Sequence, residues 1–402
     1  MSDTEVRPAT GFRARYTLTP WWGKVIAIFV VSRIVTTALL LVFAAMQDAN
    51  AWTDAAPDYF SFASLWDGHW YYLISVVGYP ADLPFTDAGQ VAENAWAFMP
   101  GYPVTVAALA FITGIPFAVA AVFVSTAFAL GTSLVFYRLL VKSLPSGTAL
   151  FSVVLFCFAP LSPILQVAYA ESMHLFFLAV ALLLLVERRY VLLLPVIAVM
   201  SLTRPSGLAF ALALLLHVVY RWVVRAQQPF PAGERLASVV AAAFSALMGI
   251  TWTVVAALTT GSPSAYTDTE LAWRSAWVGA GPFVPFAGWV QGANWWVPAP
   301  FGPVLLGLVV ATFGVALFTP AVRRLGPDLR LWTVSYVVYL LAVFFPQSSN
   351  FRLLVPLFPL LGAVAQPRSV AYRVILVLIF IAGQVGWIYI AWWVDGYDWT
   401  PP

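Results

Sequence analysis

Apolar runs of about 20 residues recur along this chain, and most basic residues fall in every second gap between them. Runs of that length cross a bilayer as helices. Those at roughly 25–46, 116–137, 147–165, 171–186, 190–203, 206–220, 236–259, 302–320, 331–346, 353–366 and 374–394 predict about eleven spans. Arg7, Arg13, Arg15 and Lys24 precede the first. Arg138 with Lys142, Arg188 with Arg189, then Arg221, Arg225 and Arg235 occupy alternate connections, as do Arg323, Arg324, Arg330, Arg368 and Arg373. The positive-inside rule makes those connections cytoplasmic, with the N-terminus inside and the "DGYDWTPP" tail outside. The first run follows about 24 mostly polar residues and is too long for a signal h-region, so it reads as a retained span.

The residues are 62% hydrophobic and 9% charged, where a soluble domain carries about 25% charged residues. The prediction is an all-α polytopic membrane protein, with residues 1–402 forming a single membrane-embedded domain. A net charge of +3 built from dispersed basic residues gives no footprint for nucleic acid. The single cysteine, Cys157, excludes an intramolecular disulfide and lies in an apolar run as core filler. Three scattered histidines make no zinc site, and no phosphate-binding loop, HExxH or GxSxG motif is present. One segment resists the count. "AFMPGYPVTVAALAFITGIP" (97–116) is apolar but short and bounded by prolines. Read as a half-inserted segment it keeps eleven spans; read as a full span it gives twelve and moves Arg138 and Lys142 outside.

Charge sorting leaves Arg33, Arg204, Arg274 and Arg352 unplaced, along with two long outer loops at about 47–97 and 260–301 that hold most of the carboxylates. Function is expected there. In "LWDGHWYYLISVVGYP" (65–80), a helix starting near Asp67 puts Trp66, Trp70, Leu73 and Val77 on one stripe, the pattern of a helix lying in the membrane interface. Asp67 is then either that helix's cap or a base held at the membrane surface. Arg204 in "SLTRPSG" and Arg352 in "SSNFRLLVPLFPL" each stand where a helix meets the outer face, against the charge trend. They either snorkel to outer headgroups or grip an anionic lipid phosphate in a bidentate fork. Glu171 in "QVAYAESMHLFF" starts a span, where the helix dipole favours a carboxylate. His174 is expected to pack, and His217 has no assigned role. Arg33, inside the first span, is a functional candidate by position, with a buried structural pair or snorkelling as alternatives. Asp268 and Glu270 in "YTDTELAWR" form a weak metal or sugar contact at most, and otherwise a solvated loop.

"LWDGHWYYLISVVGYP" followed by "AFMPGYP" resembles the PIG-V-type mannosyltransferases and their bacterial relatives. They show a Trp-Asp pair, an aromatic helix, a Gly-Tyr and then a Phe-x-Pro-x-Tyr-Pro segment. "YAES", "LTRPSG" and "NFRLLVPLFPL" are similar to the family in the same order, and the similarity runs from about 28 to 365. Eukaryotic members commonly carry a histidine later in the first block than His69, so no histidine role transfers. The resemblance implies a GT-C fold with interfacial helices in the first outer loop, a polyprenyl-phosphate mannose donor and a catalytic acid at Asp67. An alanine-rich chain without an N-x-S/T sequon looks more like an actinobacterial protein that builds a mannosylated glycolipid or lipoglycan.

The residues suit that chemistry. A polyprenyl-phosphate sugar leaves as a phosphate monoester whose second pKa is about 6, so it needs cations rather than a proton. One base, Asp67, and two phosphate-binding arginines, Arg352 and Arg204, suffice for inverting transfer to a lipid-linked acceptor. A glycosidase normally needs two carboxylates flanking the bond. Trp66, His69, Tyr71, Tyr102, Glu171 and Asn350 are candidate substrate contacts, and no metal or other cofactor is expected. A lipid or sugar transporter is the competing class. It would not need long aromatic outer loops, and no inverted repeat is evident. A structural membrane scaffold leaves Asp67, Arg204 and Arg352 unexplained together.

Overall fold

A computed structural model describes residues 18–279, 281–346 and 349–394, the side chains of 276–278 excepted. Arg7, Arg13, Arg15 and the 395–402 tail, on which part of the charge sorting rests, lie outside the described residues. Among those residues the only β pairing is one antiparallel bridge, Phe85 to Val91, in the first long loop. Everything else is helix and turn.

Among the described residues four helices are long and apolar enough to cross a membrane. They are α1 (Trp21–Ala45), α5 (Phe117–Leu140), α10 (Ala232–Thr260) and α18 with its terminal π turn (Val370–Trp392). Between α1 and α5 come α2 (Tyr59–Phe62), α3 (Asp67–Val77) and α4 (Gly101–Thr113). Between α5 and α10 run α6 (Ser146–Phe158), α7 (Glu171–Val186), α8 (Tyr190–Ser201) and α9 (Gly207–Val223). After α10 follow α11 (Ala265–Val278), α12 (Ala287–Trp296), α13 (Phe301–Ala316), α14 (Pro320–Arg323), α15 (Pro327–Val343), α16 (Asn350–Leu353) and α17 (Leu361–Val364).

Several expected spans are shorter than the sequence suggests, for a covalent reason. The 353–366 run carries Pro356 and Pro359, which lack the N–H an α-helix needs. It therefore folds as α16, a 3-10 stretch (Val355–Leu360) and α17 rather than one rod. The 147–165 run breaks after Phe158, before Pro160 and Pro163. α4, the segment that resisted the count, has 13 residues, about 20 Å at about 1.5 Å per residue. Gly114 ends it in the left-handed conformation, just before Pro116. A rod that short does not cross about 30 Å of hydrocarbon alone, and α4 packs instead on α3 and α5.

Polar side chains join these rods where their backbone groups would go unmet. Arg33 on α1 donates to the carbonyls of Cys157 (2.8 Å) and Ser162 (2.9 Å), closing the C-terminal end of α6. Gln384 on α18 donates to Phe158 O at 2.9 Å and accepts from Thr36 at the same distance. Arg33 is thus the buried structural pair that its position in the first span allowed, with carbonyls in place of a counter-charge.

α9 and α10 pack backbone to backbone. A Cβ at Gly207 would lie 2.7 Å from Gly249 Cα, and one at Gly249 would lie 2.7 Å from Leu208 N. Ser245 then reaches Gly207 O at 2.8 Å. Small residues at such crossings are the usual means of close helix approach in membranes. Gly207→Ala should therefore lower stability by about 1–3 kcal/mol. Gly233→Ala, on the same α10 with no neighbour within 4 Å, should be neutral or slightly stabilising. Thermal unfolding of the two variants in detergent, compared with wild type, checks this contrast.

Candidate active site

Four sequence blocks that look unrelated in the chain are folded into one corner. The first is the turn into α3. Trp66 there has φ 59° and ψ −119°, a conformation that strains a bulky residue by about 1–3 kcal/mol. It is held from both sides: Trp66 Nε1 donates to Trp392 O and Trp392 Nε1 donates to Phe62 O, each at 3.0 Å. At Gly68 an added Cβ would lie 3.3 Å from that of Ala168, whose N–H bonds Ala63 O at 2.8 Å. The turn therefore lies flat on the 167–170 segment, and α3 starts with Asp67 facing inward. Asp67, Gly68, Tyr71 and Ile74 form its buried face.

The second block, just before α7, supplies Tyr169 and Glu171. Tyr169 Oη accepts the Asp67 N–H at 3.3 Å. The third, the corner between α8 and α9, supplies Arg204. It is set by Gly101, whose N–H donates to Leu202 O at 2.7 Å and which has no room for a Cβ there. The fourth is α16, which supplies Arg352 and Asn350.

Together these make an alternating square of charge. Asp67 Oδ2 pairs with Arg352 Nη1 and lies 4.0 Å from Arg204 Nη1. Glu171 Oε1 takes Arg204 Nη2 at 2.7 Å and has Arg352 Nε at 3.5 Å. The side chains are 9%, 6%, 18% and 13% exposed for Asp67, Glu171, Arg204 and Arg352. Charges this dry persist only when paired. Burial alone would lower both arginines; the carboxylates of Asp67 and Glu171 overcome it for Arg352, and chiefly Glu171 does so for Arg204. Both guanidinium groups are held above their ordinary range. The Arg352 guanidinium also sits 5.4 Å above the Tyr169 ring, a cation–π contact.

The geometry answers several sequence alternatives. Trp66, not Asp67, occupies the cap position of α3, and the Asp67 carboxylate pairs with Arg352. Arg204 and Arg352 turn inward to carboxylates instead of out to headgroups. Tyr71 lies beneath the square and feels all four of its charges. Tyr102 is a packing residue: its hydroxyl is spent on Ser125 Oγ (2.8 Å) and Ala121 O (3.1 Å), and its ring meets Tyr71 edge-on. Trp66 shapes the turn, and His69 lies against Trp52 at 5.0 Å, its pKa lowered by burial. Trp70 stacks on Phe98 at 5.4 Å, while Leu73 and Val77 on the same stripe are exposed. His174 is buried one turn past Glu171. His217 is ten residues along α9 from Gly207, about 15 Å away, and pairs with Asp328 at 2.6 Å and Tyr190 at 2.9 Å. Arg274 binds Val343 O at 2.6 Å; Asp268 and Glu270 stand on the helix α11 rather than in a solvated loop, and Asp268 accepts from Ser264, the residue before that helix. Sequence reasoning missed Tyr169 and Trp392. The signal for Tyr169 was its place two residues before Glu171; Trp392 had none.

Polar atoms around the square are left over. Glu171 Oε2, Arg352 Nε, Asn350 Oδ1 and His69 Nε2 are buried without a hydrogen-bond partner. Native interiors rarely leave such groups unmet, which makes them candidate contacts for a polar ligand. Among the described residues no three His, Cys, Asp or Glu side chains are spaced to hold a metal ion.

The square has a consequence for stability that is separate from chemistry. Glu171→Gln removes the partner of a dry Arg204 and should cost about 3–5 kcal/mol. The double variant Glu171→Gln/Arg204→Met should recover much of that loss, because it leaves no unpaired charge. Unfolding midpoints of the single and double variants read this directly; equal midpoints would show that the pair is not buried as described.

No protein-family model matches the sequence, and no curated protein matches it. Solved structures match in fold. The crystal structure of ArnT from Cupriavidus metallidurans bound to undecaprenyl phosphate aligns with a TM-score of 0.50 at 14% identity, over 88% of this chain and 62% of that one. The Archaeoglobus fulgidus oligosaccharyltransferase tethered to an acceptor peptide aligns with a TM-score of 0.45 at 12% identity, over 93% of this chain and 55% of that one. The chain thus spans less than two thirds of the length of either. The likeness to ArnT is one of architecture: this chain is an all-α polytopic membrane protein with a GT-C fold.

Proposed function

We propose that this chain transfers a glycosyl group, mannose by the resemblance of its motifs, from a polyprenyl-phosphate sugar to a lipid-linked acceptor at the outer membrane face. The observation that carries the reading is the charge square of Asp67, Arg352, Glu171 and Arg204. Further support comes from ArnT, similar in fold and solved with a polyprenyl phosphate bound. The outer-face assignment rests on the charge sorting of the connections.

The reaction suits a site with two fixed cations and two anions. The donor phosphodiester carries one negative charge and seats against Arg352 and Arg204. Asp67 takes the proton of the acceptor hydroxyl as its oxygen attacks the anomeric carbon from the face opposite the phosphate. The bond from that carbon to the phosphate oxygen breaks, and its electron pair stays on the phosphate. Asp67 has then gone from charged to neutral while the phosphate has gone from one charge to two. Total charge within the pocket is unchanged. Negative charge has moved from the carboxylate to the leaving group, and Arg352, in contact with Asp67 beforehand, stabilises it there. Inversion at the anomeric carbon follows from the single displacement. Glu171 acts as a positioning residue, holding Arg204 while Arg352 changes partner.

Purified protein with radiolabelled polyprenyl-phosphate mannose and a panel of membrane lipids should yield a labelled glycolipid. Asp67→Asn should lose about 100-fold or more in turnover and still bind donor. Arg352→Lys should weaken donor use about tenfold or more, because an ammonium cannot copy the planar fork, with acceptor affinity nearly unchanged. Wild-type turnover in Asp67→Asn would remove the base from this scheme, and unaltered donor saturation in Arg352→Lys would move the phosphate elsewhere.

A further inference from the structure

The second outer loop brings one helix over the charge square, and two of its side chains have chemistry that the reaction above does not use. α11 is fastened to the first outer loop on one face. Thr269 accepts from Asn94 Nδ2 at 2.9 Å, and the Trp273 ring meets Trp70 edge-on at 5.6 Å and Phe98 at 5.8 Å. Trp70 is one helical turn past Asp67, so α11 lies directly beside the mouth of the site. Its other tie is Arg274 to Val343 O, at the end of α15.

Between those ties stands Glu270, half-buried. It is hydrogen-bonded to Tyr266, one turn back, and lies within electrostatic reach of Arg274, Arg204 and Arg352. Burial raises its pKa although these cations oppose the shift. A carboxylate has about four acceptor sites, and a single phenol fills one. The Trp273 indole Nε1 is buried with no hydrogen-bond partner. An acceptor-rich carboxylate and an unmet indole N–H, framed by aromatic rings, match a group that has several hydroxyl donors, oxygen acceptors and an apolar C–H face. A second anion does not fit, because Glu270 repels it.

We propose that Glu270 and Trp273 form a subsite for the hydroxyls of a sugar ring, next to the Arg204–Arg352 pair. Glu270 accepts from ring hydroxyls and Trp273 donates to a ring or hydroxyl oxygen. This rests on the glycosyl-transfer reading, and two sources supply the chemistry. A phosphate seated on the arginines puts the donor's own sugar one bond away. A glycosylated acceptor lipid that approaches Asp67 brings another.

Binding in nanodiscs, without turnover, separates the sources. One arm compares polyprenyl-phosphate mannose with polyprenyl phosphate; the other compares a mannosylated phosphatidylinositol with phosphatidylinositol. Each is measured for wild type, Glu270→Gln and Trp273→Phe, two changes that keep shape and ring packing. If the donor sugar occupies the subsite, the affinity gained from the sugar falls about tenfold or more in the first arm for Glu270→Gln, and less for Trp273→Phe. Affinity for polyprenyl phosphate itself does not fall in either variant, because Glu270→Gln removes a repulsion and Trp273→Phe leaves the arginines untouched. A loss confined to the second arm assigns the subsite to the acceptor. If neither sugar increment changes in either variant, the subsite is overturned. Failure of polyprenyl phosphate to bind wild type would count against the transfer reading itself, while the second arm would still score the subsite.

Discussion

A protein that buries two carboxylates and two arginines together must keep each charge in contact with an opposite one, and much of this fold serves that requirement. Removing water from an ion costs several kcal/mol, and a pair recovers it only with good geometry. The strained turn at Trp66, the close approach at Gly68 and the Gly101–Leu202 contact set the distances within the square. The C-terminal π turn is recruited too: Trp392 locks the Trp66 corner, and Gln47 and Val394 bond to each other's amides beside it.

Pairing also explains why a stable resting site can be reactive. Arg352 lies against Asp67 at rest, and in the proposed reaction the same guanidinium follows the negative charge as it moves to the phosphate. The leftover polar atoms on Glu171, Arg352 and Asn350 suit the proposed phosphate contact, since a site filled by its own hydrogen bonds would have nothing to offer a ligand.

Fold class was legible in the sequence because it depends on one property, the length of apolar runs. Helix lengths were less so. Prolines inside the 147–165 and 353–366 runs cut them into shorter pieces, which matters more than their hydropathy. Arg204 and Arg352 could be named as candidates because each is a positive charge against the sorting of the connections, and Asp67 because its block resembles one with a catalytic acid there. What could not be read was their mutual contact, which joins positions 285 residues apart in the chain. Glu171 looked like a residue at a helix start and is the anchor of Arg204. Arg33, open by its depth between a functional role, a buried structural pair and snorkelling, closes a helix end. In both cases the partner is distant in sequence, and charge patterning alone carries no information about it.

In the proposed reaction Arg352 exchanges a carboxylate for a phosphate. A structure of the protein in nanodiscs with a non-reactive polyprenyl-phosphonate sugar shows whether it does. The expected arrangement has guanidinium nitrogens of Arg352 on the phosphonate oxygens, Arg204 beside them and still held by Glu171, and Asp67 facing the anomeric carbon. A phosphonate bound elsewhere, with Arg352 still closed on Asp67, would rule the exchange out.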